Sequence, residues 1–224
     1  MNKLTLKTEW RALLLIVFAI GLCIWAYPQL PASVASHWNF QGEVDGWSSR
    51  TFHAIFFPAL LIGMYVMFIA LPYLDPKKER YGEFIDVYRL IRDAIIFIMT
   101  AVFAVATFYN LGYDLNVGII IPSLIGIMFV VMGNSFGKLK RNWFVGIKTP
   151  WTLTSENNWN KTHRFGGRVF MIFGLLLILS PWLSFQWGMP VMLGGVIALT
   201  VGVYLYSYLL FRKEKKENRE NGVM

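Results

Sequence analysis

Long apolar runs alternate with short polar segments along the whole chain, and the runs fall in one length class. They lie at residues 12–27, 54–74, 94–111, 117–133, 169–185 and 189–211. A run of about 17 to 25 apolar residues is long enough to cross a bilayer as a helix. Hydrocarbon offers no water to backbone N–H and C=O groups, so a spanning segment is a helix or part of a closed barrel. The pattern therefore predicts an all-α membrane protein with six transmembrane helices. The connections 112–116 and 186–188 are short, which makes helices three and four, and five and six, antiparallel neighbours. Pro58, Pro122 and Pro190 fall near the starts of their runs, where a missing amide donor costs least.

Basic residues set the expected orientation. Of the 21 Lys and Arg, all but Arg50 fall in the segments that share a side with the N-terminus. This bias predicts that both termini are cytoplasmic. The formal charge of +8 is then mainly a topology signal that also favours anionic lipids, with no direct nucleic-acid binding implied. Lys3, Lys7 and Arg11 ahead of the first run imitate a signal peptide, but Trp25, Tyr27, Pro28 and Gln29 follow it where small residues would be needed for cleavage. It reads as a retained helix. Trp25, Tyr27, Tyr109, Trp182 and Trp187 gather at the outer ends, with Trp10 and Tyr73 at the inner ends, as aromatic belts do.

Composition agrees with this class: 56% of the 224 residues are hydrophobic, 17% aromatic and 15% charged. Cys23 stands alone, so no disulfide or thiolate metal site forms within one chain. The tail 212–224 is polar and reads as a frayed cytoplasmic end.

Two polar segments are too long to be turns. The outer one, 28–53, holds His37, Trp38, Asn39, Gly42, Glu43, Asp45, Gly46, Trp47 and Arg50. Gly42, Gly46 and the Asp45–Gly46 pair signal turns. His37, His53, Glu43 and Asp45 would have to converge to hold a metal, and their spacing does not favour it, so no metal or cofactor is expected. The inner segment, 134–168, is basic and rich in tryptophan. Gly133 and Gly137 form a GxxxG pair suited to close helix packing, and Asn134 extends the same face for a hydrogen bond across helices. Thr149–Pro150 breaks any helix running on from Lys138. Thr154 or Ser155 can cap a new helix through Glu156, Trp159 and His163. Trp151, Trp159 and Phe165 would then lie at the membrane interface, with Lys138, Arg141, Lys148 and Arg164 facing headgroups or cytoplasm. The segment reads as an interfacial collar.

These two segments together resemble the SdpI-type immunity proteins, bacterial membrane proteins that protect a cell from a secreted toxic peptide. Leu30, Pro31, His37, Asn39, Gly42, Asp45 and Gly46 match the domain of unknown function that leads that family. Gly133, Asn134, Asn142, Gly146, Thr149, Pro150, Trp151, Thr152, Leu153, Trp159 and Arg164 stand on its later signature. The resemblance implies an N-terminal region 1–93 with an outer loop subdomain at 28–53. It implies a four-helix region 94–211 carrying the signature 133–167. A toxin would meet His37, Trp38, Asn39, Gly42, Asp45, Gly46 and Trp47 on the outer face. A cytoplasmic repressor held at the membrane, or lipid, would meet Asn134, Lys138, Arg141, Asn142, Lys148, Thr149, Pro150, Trp151, Trp159, His163 and Arg164. The implied location is the bacterial plasma membrane.

Other function classes find less support. The chain lacks HExxH, GxSxG and a phosphate-cradling glycine loop, so an enzyme is not expected. The alternative is a small-molecule or lipid transporter. The six apolar runs contain no Asp, Glu, Lys, Arg or His, and coupled transporters usually carry such groups along their pathway. Thr100, Thr107, Asn110, Ser123 and Ser180 remain to line a small polar cavity, or to satisfy helix backbone.

Overall fold

The computed structural model describes residues 5–39, 41–183 and 185–220, without the side chains of 185–187. Lys3, the side chain of Trp187 and the last four residues of the tail lie outside this set. The chain runs α1 (Leu6–Ala26), β1 (Ser33–Trp38), β2 (Val44–Ser49), α2 (Arg50–Leu74), α3 (Ile85–Asn110), α4 (Val117–Phe136), α5 (Pro150–Thr154), α6 (Glu156–Leu179), α7 (Phe185–Ile197) and α8 (Val203–Glu220). Short 3-10 segments, Lys78–Glu83 and Ser180–Trp182, follow α2 and α6, and a π turn, Ala198–Gly202, joins α7 to α8. Six helices are long and apolar enough to cross a membrane: α1, α2, α3, α4, α6 with its extension to Trp182, and a last one over Gly188–Glu220. The predicted all-α membrane fold is therefore present, with a small antiparallel β1–β2 hairpin added to it.

The hairpin marks one end of the helix bundle, and the loops holding most basic residues mark the other. Ala12, Ile16, Ala19 and Leu22 of α1 pack against Leu61 of α2 and Ile96 and Phe103 of α3. At the basic end Phe68, Tyr81, Phe84, Tyr88 and Ile91 close around Phe136, Leu139 and Trp159, joining the first three helices to the rest. Large apolar side chains such as Leu14, Val17, Ile62, Val66, Ile172 and Leu205 point outward, as lipid-facing positions do.

The closest helix pair is α4 with α6, antiparallel and in a fixed register. A Cβ on Gly133 would lie 2.5 Å from the carbonyl oxygen of Gly167, and one on Gly126 would lie 2.5 Å from that of Gly174. Seven residues separate the glycines on each helix, about two turns, so both contacts fall on one line. The GxxxG expectation holds only for Gly133, because a Cβ on Gly137 would meet nothing nearer than Arg164 Cγ at 3.6 Å. Asn134 is exposed and, among the described residues, makes no cross-helix hydrogen bond, because the packed face follows Gly126, Val130 and Gly133 instead.

Helices also reach beyond the apolar runs, and this corrects the view of a bundle without charge. Residues Glu9, His53, Arg92, Asp93 and His163 all lie in the long helices. Buried Arg92 pairs with buried Glu9 and with Asp93, while Tyr65 donates to Glu9 at 3.2 Å. Helix can extend through such positions because the charges satisfy one another across α1, α2 and α3. Pro58 is likewise internal rather than near a start, because Ser49 caps α2 from 3.1 Å and the helix begins at Arg50. The tail stays helical to Glu220, supported by Glu214 and by the i,i+4 pairs Lys213–Glu217 and Lys216–Glu220.

Candidate functional site

At the hairpin end, the last residues of α3 hold the strands. Asn110 accepts from the Ala35 N–H at 2.7 Å and donates to the Ala35 carbonyl at 3.0 Å, reading both backbone groups of one β1 residue. Trp38 meets Tyr109 edge-on at 5.2 Å. The chain reverses around Gly42, whose φ of +80° favours glycine and whose hypothetical Cβ would lie 3.3 Å from the Gly118 backbone at the start of α4. The Asp45–Gly46 pair is not a turn. It lies within β2, where Gly46 is opposite His37 and a Cβ would come within 2.8 Å of the His37 Cβ. Asx geometry at Asn39 makes the turn instead, its Oδ1 accepting from the N–H groups of Gln41 and Glu43.

Of the outer candidates, then, Asn39, Gly42 and Gly46 shape the hairpin, and His37, Asp45 and Trp47 remain on its surface. His37 Nδ1 lies against the Asp45 carboxylate with both side chains exposed, and Trp47 is 63% exposed. His53 does not join them: it is buried in α2 and bonds Thr107 at 3.0 Å. Beside the hairpin, Trp25, Gln29, Leu111, Gly112 and Tyr113 line an open cleft of about 380 Å³. The hairpin surface thus presents Trp47 beside the paired His37 and Asp45, next to a cleft whose accessible lining is mostly polar.

The basic end is built differently, and most of its signature residues turn inward. Asn142 is fully buried: it donates to the carbonyls of Lys140 and Val145 and accepts from the N–H groups of Phe144 and Val145, fixing the loop after α4. Trp159, expected at the interface, is also fully buried, donates to the Leu139 carbonyl at 2.8 Å and stacks on His163 at 4.0 Å. The buried indole N–H is satisfied by that loop carbonyl, as a buried indole requires. His163 Nε2 accepts from the Ile147 N–H while Nδ1 donates to the Trp159 carbonyl, which fixes a neutral imidazole. Thr149 caps α5 and bonds Ser207 of α8, and Ser207 bonds Asn158 of α6. Ser155 is the cap of α6, as one of the two expected residues. Trp151 packs among Tyr204, Tyr208 and Phe211 of α8.

The outward-facing inner candidates are Asn134, Lys138, Lys148, Pro150 and Arg164. Arg141 is half-buried, donating to the Leu153 carbonyl and lying 3.4 Å from Glu156.

A second tie escaped sequence reasoning. Asp75, buried at the end of α2, accepts from Tyr81 Oη, the Lys77 N–H and the Trp143 N–H, so it joins the α2–α3 connection to the loop after α4. Burial and the Asp75 carboxylate push the Tyr81 phenol well above its ordinary range. Arg80 forms a two-pronged pair with Glu156 at 2.8 and 3.1 Å, and these bonds hold its guanidinium protonated. The only sequence hint was a carboxylate, Asp75 or Glu156, standing among many cations.

Comparison with known proteins aligns with both segments. Residues 14–62, which take in the later part of α1, the hairpin and half of α2, match a domain of unknown function, DUF1648. Residues 138–207, from the Asn142 loop into α8, match the SdpI/YfhL protein family. The Immunity protein SdpI of Bacillus subtilis (strain 168) is 22% identical over 209 residues, covering 93% of this chain and 98% of that protein. No solved structure shows a significant match. With that order of segments and its six membrane-length helices, the chain is a multi-pass protein of the bacterial cell membrane that is similar, in its later segment, to the SdpI/YfhL protein family.

Proposed function

We propose that this protein is an immunity protein that protects its cell from a secreted toxic peptide. The observation that carries this reading is the end-to-end similarity to Immunity protein SdpI, which includes both the leading and the later segment. On this reading the toxin meets the hairpin end, through His37, Trp38, Asp45 and Trp47 and the neighbouring aromatic cleft. Regions 1–93 and 94–211 serve as receiving and relaying halves, joined by Asp75 and by the Arg80–Glu156 pair. A toxin-dependent cytoplasmic repressor would be held at the basic end, where Lys148 and Arg164 are exposed beside half-buried Arg141 and Trp151.

The buried Glu9–Arg92–Asp93 group does not favour transport, because its charges are compensated inside the bundle rather than lining a path. Expression in a sensitive bacterium is the test. Survival should rise against the cognate peptide while the peptide's extracellular concentration stays constant. Survival that tracks export of the peptide, and is lost on collapse of the proton gradient with the protein still folded, would replace immunity by transport.

A further inference from the structure

One face of α6 carries an exposed stripe that changes character along its length. Lys161, Arg164 and Arg168 come first, then Ile172, Leu175 and Leu179, all exposed and spaced three or four residues apart. That spacing places them in one row. The opposite side of the helix is committed to the interior, with Asn158, Trp159, Thr162, His163, Gly166 and Gly167 buried. The Arg164 stem lies over Gly137, which sets Lys138 beside the cationic half of the row.

These cations differ from the other arginines near this end. Arg80, Arg89, Arg92 and Arg141 each have a carboxylate within 4.0 Å. Among the described residues, no carboxylate lies that close to Lys138, Lys161, Arg164 or Arg168. Depth adds a second constraint. Gly167 touches Gly133, which lies a turn inside the end of α4, so neighbouring Arg168 stands at the border of the membrane-length helices and not in a loop. An arginine there extends its guanidinium toward the headgroup layer while its stem remains along the apolar surface.

We propose that this row is a binding site for an anionic phospholipid, which shares only Arg164 with the proposed repressor surface and does not rest on the immunity reading. The phosphodiester sits among Lys138, Lys161, Arg164 and Arg168, and an acyl chain runs along Ile172, Leu175 and Leu179. A soluble phosphate would use only the first half of the row. The lipid matches both the charge and the apolar continuation, and its occupancy braces the helix whose glycines fix the α4–α6 register.

The test uses the full chain purified in detergent, with phosphatidylglycerol, phosphatidylcholine or glycerol phosphate added, read by native mass spectrometry and by melting midpoint. Phosphatidylglycerol should be retained and raise the midpoint, with no rise from the other two. Arg164→Gln with Arg168→Gln should weaken retention by about tenfold or more, since each cation near an anionic headgroup contributes roughly a fivefold factor. Lys138→Gln with Lys161→Gln provides the same test should the arginine variant fail to fold. Arg212→Gln with Lys213→Gln removes equal charge elsewhere and should leave retention intact. The proposal is overturned by undiminished retention in the folded row variants, by equal loss in the control, or by an equal midpoint rise with glycerol phosphate.

Discussion

The thiol of Cys23 donates to the main-chain carbonyl of Ala54 across 3.1 Å, and this is the carbonyl that Pro58 leaves without its intrahelical donor. A proline inside a membrane helix is tolerated where a neighbouring helix supplies what the ring removes. Cys23→Val should therefore lower stability in detergent by about 1 kcal/mol, and Cys23→Ser should not. In a Pro58→Ala background the restored N–H should make Cys23→Val nearly neutral. Thermal unfolding of the four proteins checks the cycle, and an equal loss in both backgrounds would refute the pairing.

The Glu9–Arg92 pair allows a sharper contrast. Arg92 is 2% exposed and keeps only Asp93 once Glu9→Gln removes the other of its two carboxylates, so the change should cost about 2 to 3 kcal/mol, less than the loss of a sole partner. Replacing all three, as Glu9→Gln with Arg92→Met and Asp93→Asn, should recover most of that loss, because the whole buried group is then neutral. Chemical denaturation in detergent reads both variants. A triple variant as unstable as the single one would mean that the group contributes packing rather than charge compensation.

Six apolar runs and a helix break at Thr149–Pro150 were legible in the sequence because period, length and proline act locally. The hairpin was not, since β1 and β2 gain their stability by docking on Asn110 and Tyr109, distant in sequence. Basic and aromatic composition made 134–168 look like a surface collar. Burial of Asn142, Trp159 and His163 depends on loop carbonyls and amides that composition does not reveal. Of that segment, sequence reasoning placed Asn142, Trp159 and His163 on the wrong side of the packing. Charges at the ends of helices were also hidden, because a run is cut where its first charge appears while the helix continues.

The glycine line of α4 and α6 should separate two residues that look alike in sequence. Gly133→Val places side-chain atoms into the Gly167 backbone and should cost a few kcal/mol or prevent accumulation. Gly137→Ala meets only the Arg164 stem at 3.6 Å and should accumulate normally. Membrane levels of tagged protein, with melting midpoints for whatever accumulates, decide the matter. Equal behaviour of the two would put the helix contact elsewhere.

Asn110→Ala tests whether the hairpin acts as a docked unit. Both Ala35 backbone groups lose their partner, so amide exchange over β1 should quicken while α1 to α3 remain protected. On the proposed function, protection against toxin should fall in this variant and in Trp47→Ala, at unchanged protein levels. A hairpin that exchanges freely yet leaves protection whole would remove it from the toxin site.

The expected orientation rests on the basic bias alone, and surface labelling tests it on residues that the fold leaves free. In a Cys23→Ser background, Gln41→Cys in the hairpin turn and Asp114→Cys between α3 and α4 are both exposed at the hairpin end. Asn116 is avoided because it caps α4. Thr154→Cys at the end of α5 is exposed at the basic end. With basic segments retained in the cytoplasm, an impermeant thiol reagent should label the first two in intact cells and the third only after permeabilisation. The reverse pattern would invert the protein. It would then place Lys148 and Arg164 outside, removing the repressor from the proposed function and leaving the hairpin to face the cytoplasm.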